Sequence, residues 1–305
     1  MVRHVLVPLD GSRLAEAALP AAAATARAFD ARVTLFHVIE NWPPERVHGQ
    51  PHLTGGDQAQ EYLSAVAGRP IWHGVAVECH VHRTETGDVA DSIMAHADEL
   101  QANLVVLSAH GHGGLKDVVF GSIPQRALTR GRTPLLLVNP TAEGAAPPFQ
   151  CRRILVPLDG SASHEPVLAP AAGLASSMRA ELHLVVVVPT AHTLSGFTAA
   201  AGVRMPMATR AVLDLAEQDA EAYVRSVRDR MGAEGLAARW SVGRGEPLTV
   251  LIQTARACDS DLVAMATHAR GALDGFWSGS LTPKLMHRLD RPMLLVRAEG
   301  DDPTR

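Results

Sequence analysis

The chain repeats itself, and that repeat constrains the architecture more than any other feature. HVLVPLDGS at His4–Ser12 returns as RILVPLDGS at Arg153–Ser161, an offset of 149 residues. LVVLSAHGHGGLKDVVFGS at Leu104–Ser122 returns as LVAMATHARGALDGFWSGS at Leu262–Ser280, an offset of 158. TPLLLV at Thr133–Val138 returns as RPMLLV at Arg291–Val296, again at 158. The period far exceeds the roughly 20–50 residues of a solenoid unit, so it describes two tandem copies of one domain. The offset grows by 9, so the second copy carries a net insertion between its second strand and its fourth segment. NPTAEGAAPPFQ at Asn139–Gln150 is rich in Pro, Gly and Ala and lacks apolar periodicity. The expected organisation is a first domain over 1–140, a linker over 141–150 and a second domain over 151–305.

Within each copy, strands alternate with helices. Val5–Leu9 is a short β-branched run that ends at Asp10-Gly11, hence a buried strand and a turn. Ser12 is placed to cap a helix running through Leu14, Ala18, Ala22 and Ala26. A second strand is expected at Val33–Ile39, loop chemistry over Glu40–Gln58, a helix around Ala59–Gly68 and a third strand at Val75–His82. Gly87-Asp88 opens a helix to about Leu100. Leu104–Ser108 is a fourth strand, Ser122–Thr129 is helical and Leu135–Val138 is a last strand. This alternation implies a parallel sheet covered on both faces, and right-handed crossovers make it doubly wound. Ligands of such sheets sit at the carboxyl ends of strands, near the switch in strand order. The Asp10 turn and the glycine-rich turn after Ser108 both lie there.

Composition narrows the function. Of 305 residues, 47% are apolar and 20% charged, which fits an ordinary globular protein. The net charge of −4 gives no basic excess for nucleic-acid binding. Three widely spaced cysteines, Cys79, Cys151 and Cys258, form neither a CxxC nor a disulfide framework, which fits a reducing compartment. The first apolar run is too short for a signal core, and no run approaches the ~20 residues of a membrane helix. The expectation is a cytoplasmic protein without membrane or nucleic-acid partners.

The chemistry concentrates in one motif: Ser108-Ala109-His110-Gly111, nine residues, then Gly121-Ser122 at the start of a helix. Glycines let backbone N–H groups approach a ligand, and a helix N-terminus favours an anion. The competing reading is a tight strand-to-helix turn. Other phosphate motifs fail. There is no GxxxxGK[ST], and Gly111-His112-Gly113 is followed by Lys116 where a dinucleotide fingerprint needs its third glycine. Nor is there an arranged general base, arginine finger or P-loop lysine for phosphoryl transfer, so any hydrolysis should be slow.

LVPLDGS ending the first strand, GxxG-x9-G[ST] after the fourth and the closing PLLLV together resemble the universal stress protein family. Both copies match. The resemblance implies an α/β fold of two tandem doubly wound domains, each with a five-stranded parallel sheet, adenine nucleotide alpha hydrolase-like. Many members of that family bind ATP and some do not. Carried over by position, it implies that Pro8, Leu9 and Asp10 line the adenine and ribose side. Val38 would meet adenine through its backbone, Ser108 and Gly111 would flank ribose and phosphates, and Gly121, Ser122 and Ile123 would hold the phosphates. Ser108 stands where the family usually has glycine. In the second copy Asp159, Val187, Gly279 and Ser280 remain, but Ala266 and Ala269 replace both early glycines. An alanine forced into the left-handed region costs ~1–2 kcal/mol. The first copy is therefore expected to bind nucleotide better. Magnesium would arrive on the ATP phosphates, with no dedicated metal site.

The blander readings are these. Asp10 and Asp159 are ordinary turn residues; the 15 histidines are scattered over the surface; Met205 and Met207 pack. The long segments Trp42–Gln58 and Thr190–Thr209 are crevice lids or insertions. The expected role is a stress-associated ATP-binding sensor or regulator. Its rivals are a nucleotide-free interaction scaffold and a weak ATPase. The closing strands of the two copies are expected to pair within one chain as a pseudo-dimer, with a homodimer of whole chains as a further option.

Overall fold

The computed structural model describes residues 1–41, 45–47, 50–86, 88–109, 122–140, 148–194, 205–267 and 281–299. The first copy contains β1 (His4–Pro8), α1 (Leu19–Phe29), β2 (Arg32–Glu40), a small hairpin of β3 (Arg46–Val47) and β4 (Gln50–Pro51), α2 (Gly56–Ala67), β5 (Val77–Thr86), α3 (Val89–Glu99), β6 (Leu104–Ser108), α4 (Ser122–Arg130) and β7 (Leu135–Val138). The second contains β8 (Arg153–Leu158), α5 (Leu168–Met178), β9 (Glu181–Val188), α6 (Pro206–Ala233), β10 (Ala238–Arg244), α7 (Pro247–Ala257), β11 (Leu262–Thr267), α8 (Leu281–Arg288) and β12 (Met293–Arg297).

Ten strands form one sheet in the order β10-β9-β8-β11-β12-β7-β6-β1-β2-β5. Each half is thus a five-stranded parallel sheet, as expected. The halves join where β12 runs antiparallel to β7, with Leu294 opposite Leu136 and Leu295 opposite Leu135. The closing strands do pair within the chain.

Alternation sorts the side chains. Val5, Val7 and Leu9 face one layer with Leu63, Val66, Leu168, Val224 and Val227, the layer of α1, α2, α5 and α6. Leu6 faces the other, with Ile93, Leu128, Leu251 and Leu285 of α3, α4, α7 and α8. Both layers run across the junction, so the two copies share their core. Each fully buried Leu, Val or Ile contributes about 1.5–3 kcal/mol. No helix among the described residues is long and apolar enough to cross a membrane.

The insertion can now be placed. Val33 pairs with Val77 in the first copy; its counterpart Leu182 pairs with Ala238 in the second. The offset has therefore risen from 149 to 161 by the third strand. It returns to 158 at the caps of the next helices, Asp88 and Glu246. Twelve residues enter ahead of the sheet-packed part of α6. Three are then lost because β10 has 7 residues where β5 has 10.

Several local expectations need correction. The helix after β1 does not start at a Ser12 cap: a 3-10 turn, Ala15–Ala18, comes first, and the Ser12 hydroxyl accepts from the Ala15 N–H at 3.1 Å. The third strand starts at Val77, because the Val75 N–H is held by the Trp72 carbonyl at 2.8 Å. Thr190–Thr209 is not all loop, since Pro206 opens α6 at a position where its missing N–H costs nothing. Met205 and Met207 do not pack: they are 63% and 78% exposed.

Candidate functional site

The site is built at the carboxyl end of β1. In strand order, β1 has β2 and β5 on one side and β6 and β7 on the other, so the direction of winding switches between β1 and β6. Asp10 follows β1, Val38 lies near the end of β2, and Ser108 ends β6. Of the expected residues, the structure brings Pro8, Leu9, Asp10, Val38 and Ser108 to this switch point. Ile123 is half-buried in the first turn of α4, which starts at Ser122 beyond β6. Gly111, Gly121, Gly279 and Ser280 lie outside the described residues, as do His110, His112 and Ala269.

The Asp10 turn has a clear local cause. Leu9 is still in register, its N–H donating to the Phe36 carbonyl at 2.8 Å. The chain then reverses through Gly11 at φ +88°, a region that disfavours any residue with a Cβ. The Ser12 N–H donates to Asp10 Oδ1 at 2.8 Å, closing an Asx turn. Leu53 lies directly over Gly11: a Cβ there would sit 2.9 Å from its Cγ and Cδ1. The Arg13 N–H donates to Gln50 Oε1 at 2.7 Å, and His52 pairs with Glu40 at 3.3 Å. The segment after β2 therefore folds back onto the turn.

The second copy reproduces this turn with different surroundings. Gly160 has φ +83°, and the Ser161 N–H donates to Asp159 Oδ1 at 2.9 Å. Asp159 Oδ2 also meets His164 Nδ1 at 2.9 Å; the first copy has Ala15 at that position. Nothing lies within 4 Å of where a Cβ on Gly160 would be. At the end of β11, Thr282 in the first turn of α8 donates its hydroxyl to Thr267 Oγ1 at 3.4 Å, where the first copy has Pro124 and Ala109. Val187 pairs in unbroken register with Gly243, whereas the β2–β5 register slips just after Val38. A register shift of this kind bends the strand locally.

Two features escaped the sequence reading. His37 is 2% exposed beside the Leu9–Asp10 turn. Its Nδ1–H donates to the Leu9 carbonyl at 2.6 Å, and its Nε2 is buried with no hydrogen-bond partner. Burial, opposed by that carbonyl, holds its pKa below the ordinary value. The second feature is a duplicated triad. Glu16 accepts from Tyr62 at 3.0 Å and from both Arg69 terminal nitrogens at 2.8 and 2.9 Å. Glu165 likewise accepts from Tyr223 at 3.0 Å and from one Arg230 terminal nitrogen at 2.9 Å. The triads tie the turn after the first strand of each copy to α2 or α6. A repeated Tyr-x6-Arg, at offset 161, was the available signal.

The histidines are not scattered over the surface as expected. His4, His37, His52 and His96 are buried. His4 bridges the Leu100 carbonyl and the Thr34 hydroxyl at 2.9 and 2.7 Å. His80 and His82 lie against His96, with ring centroids 5.1 and 4.7 Å apart. Among the described residues no group of three or more His, Cys, Asp or Glu is arranged to hold a metal. The three cysteines are free thiols. Burial raises all three, Cys151 to about 12, so none is an activated nucleophile.

The profile described as the universal stress protein family matches residues 1–139 and again 150–297. A universal stress protein of Mycobacterium tuberculosis, Rv2005c, is 25% identical over 305 residues, covering 96% of each chain. Another, MJ0531 of Methanocaldococcus jannaschii, is 27% identical over 144 residues, 46% of this chain and 83% of that protein. Among solved structures, a universal stress protein from Archaeoglobus fulgidus superposes with a TM-score of 0.67 at 16% identity, covering 98% of this chain and 97% of that one. A functionally unknown protein from Pseudomonas aeruginosa reaches 0.65 at 18% identity, covering 98% and 93%. At these identities the structural likeness speaks to fold alone.

Proposed function

The chain belongs to the universal stress protein family, and on that premise we propose that it is a stress-associated regulatory protein whose first copy binds ATP. The observation that carries this reading is the meeting of Asp10, Val38 and Ser108 at the switch point of the first half-sheet. The donor set fits the ligand: the Asp10 carboxylate, just past β1, can accept from ribose hydroxyls, and the Ser108 hydroxyl, at the end of β6, can donate to a phosphate. Asp10, with the backbone of Leu9 and Val38, would hold the adenine and ribose. Ser108 and the N-terminus of α4 would face the phosphates, joined by Gly111 and Gly121 on the family pattern. Magnesium would be carried by the phosphates.

The second copy is the weaker site. Its Asp159 is shared with His164, and its Thr267 is tied to Thr282. These polar groups bond to one another rather than to a ligand. The chain works as two domains, 1–140 and 151–305, around a linker, in a reducing cytoplasm. It acts through the differing affinity of its conformations for nucleotide, not through turnover.

Calorimetric titration of MgATP into the full chain tests this. One dominant site is expected, weakened at least tenfold by Asp10→Ala and less than twofold by Asp159→Ala. A nucleotide at about 100 times its Kd should stabilise the fold by ~2.7 kcal/mol. No heat with ATP, ADP or AMP, or a larger loss from Asp159→Ala, overturns the assignment. Hydrolysis at ~1 s⁻¹ or faster would make the protein an ATPase instead.

A further inference from the structure

The 28-residue helix α6 is the main departure of the second copy from the first. At the offset of 161 that aligns Tyr62 with Tyr223, the first residue of α2, Gly56, corresponds to Glu217. The first three turns of α6 therefore have no counterpart. They are also where the apolar surface lies. Five large hydrophobic residues are exposed among the described residues: Met1, Met205, Met207, Val212 and Leu215. Three of the five, Met207, Val212 and Leu215, belong to this extension, and Met205 immediately precedes it.

The extension has two apolar faces. Leu213 is buried and continues the line of Ala220, Val224, Val227 and Met231, which packs on the sheet. Met207, Ala211 and Leu215 recur every four residues on the opposite side, flanked by Ala208 and Val212, and all five are exposed. A single-domain surface has no use for a second stripe. The stripe covers on the order of 500 Å², near the top of what a monomer leaves exposed.

We infer that this stripe is a dimerisation surface, and that its occupant is the same stripe of a second copy of this chain, packed antiparallel about a two-fold axis. The pattern is self-complementary. With the axis near Ala211, Met207 of one copy meets Leu215 of the other about 12 Å along the helix from its own Leu215. The small Ala208 and Ala211 sit at the centre, where they allow close approach of helix axes. Charge agrees as well. Arg210 and Asp214 flank the stripe, 3.9 Å apart within the chain and 79% and 49% exposed. In the antiparallel pair, Arg210 of each copy comes within reach of Asp214 of the other. Two copies together would bury about 1,000 Å², the lower bound for a specific interface, so the dimer should be reversible. The acidic Asp214 and Glu217 beside the stripe disfavour an anionic membrane as the occupant.

Sedimentation equilibrium of the full chain, from micromolar to a few hundred micromolar, tests this. The wild type is expected to shift reversibly from 32.4 kDa to twice that mass. Val212→Glu combined with Leu215→Glu should raise the dissociation constant at least tenfold without changing the urea midpoint. Arg210→Asp should weaken the dimer, and Arg210→Asp with Asp214→Arg should restore it. A wild type that stays monomeric overturns the proposal, as it would if residues 195–204 or another protein covered the stripe. So does a dimer that survives the double glutamate variant, which would place the contact elsewhere, such as the outer edges at β5 and β10.

Discussion

Gly11 and Gly160 occupy the same position in the two copies, and the structure separates what an added methyl would cost at each. Both have positive φ, +88° and +83°, so alanine pays a conformational cost of ~1–2 kcal/mol at either site. Only at Gly11 does the methyl also collide, 2.9 Å from Leu53 Cγ and Cδ1; at Gly160 nothing lies within 4 Å. Leu53 is itself 8% exposed and packed with Ile39 and Ala59, so it cannot simply swing away. Overpacking of that kind adds ~1–3 kcal/mol. Gly160→Ala should thus cost about 1–2 kcal/mol and Gly11→Ala about 2–5. A double-mutant cycle isolates the steric share: with Leu53→Ala as background, Gly11→Ala should fall to the cost of Gly160→Ala, a coupling of at least ~1 kcal/mol. Urea denaturation of the four chains of the cycle and of Gly160→Ala gives every number needed. Equal costs at the two glycines, or additivity between Gly11→Ala and Leu53→Ala, would refute the claim that the segment after β2 is seated on the turn.

Two further outcomes follow from the same coordinates. His4, His37, His80, His82 and His183 are all held below the ordinary histidine value of 6.5, in each case chiefly by burial. The unfolded chain then binds more protons, so stability is present above pH 6.5 and is lost as the pH falls below it. The urea midpoint should drop between pH 7 and pH 5 with a shallower slope in His37→Leu, and an unchanged slope would argue against a buried neutral His37. Glu16→Ala and Glu165→Ala should each cost ~1–2 kcal/mol, chiefly by leaving a part-buried tyrosine hydroxyl without its acceptor, since the arginines are 41% and 52% exposed and keep water. The two triads lie in separate halves, so their effects should add within ~0.5 kcal/mol, as chemical denaturation of the single and double variants would show.

What could be read from the sequence was what one local pattern specifies. Strands such as Leu104–Ser108 are buried on both faces, so they appear as unbroken apolar runs. The Asp10 turn appears twice, and the repeat turns an ordinary dipeptide into a fixed point. What could not be read depends on partners distant in the chain. Glu16 meets Tyr62 across 46 residues and Arg69 across 53. His37 looks like any strand residue until the Leu9 carbonyl and Leu53 close around it. The start of α6 was hidden for a different reason. With apolar residues on two opposite sides, its first turns show no single stripe, and Pro206 reads as a loop residue unless its place at the first helical position is known.

The antiparallel joint between β7 and β12 has a consequence for any ligand. Strands within each half run parallel, but the two halves run in opposite directions along one sheet. The carboxyl ends of β1 and β8, and with them the turns at Asp10 and Asp159, therefore lie at opposite ends of the molecule. A ligand at one turn cannot touch the other, so any influence between them must pass through the shared core and the Leu136–Leu294 ladder. The turns are thus free to diverge. Ala15 in the first copy corresponds to His164 in the second, and Pro124 to Thr282; each second-copy residue bonds to a neighbour within its own half. Duplication thus kept the fold while letting these few contacts change: the His164 and Thr282 bonds belong to the second copy alone.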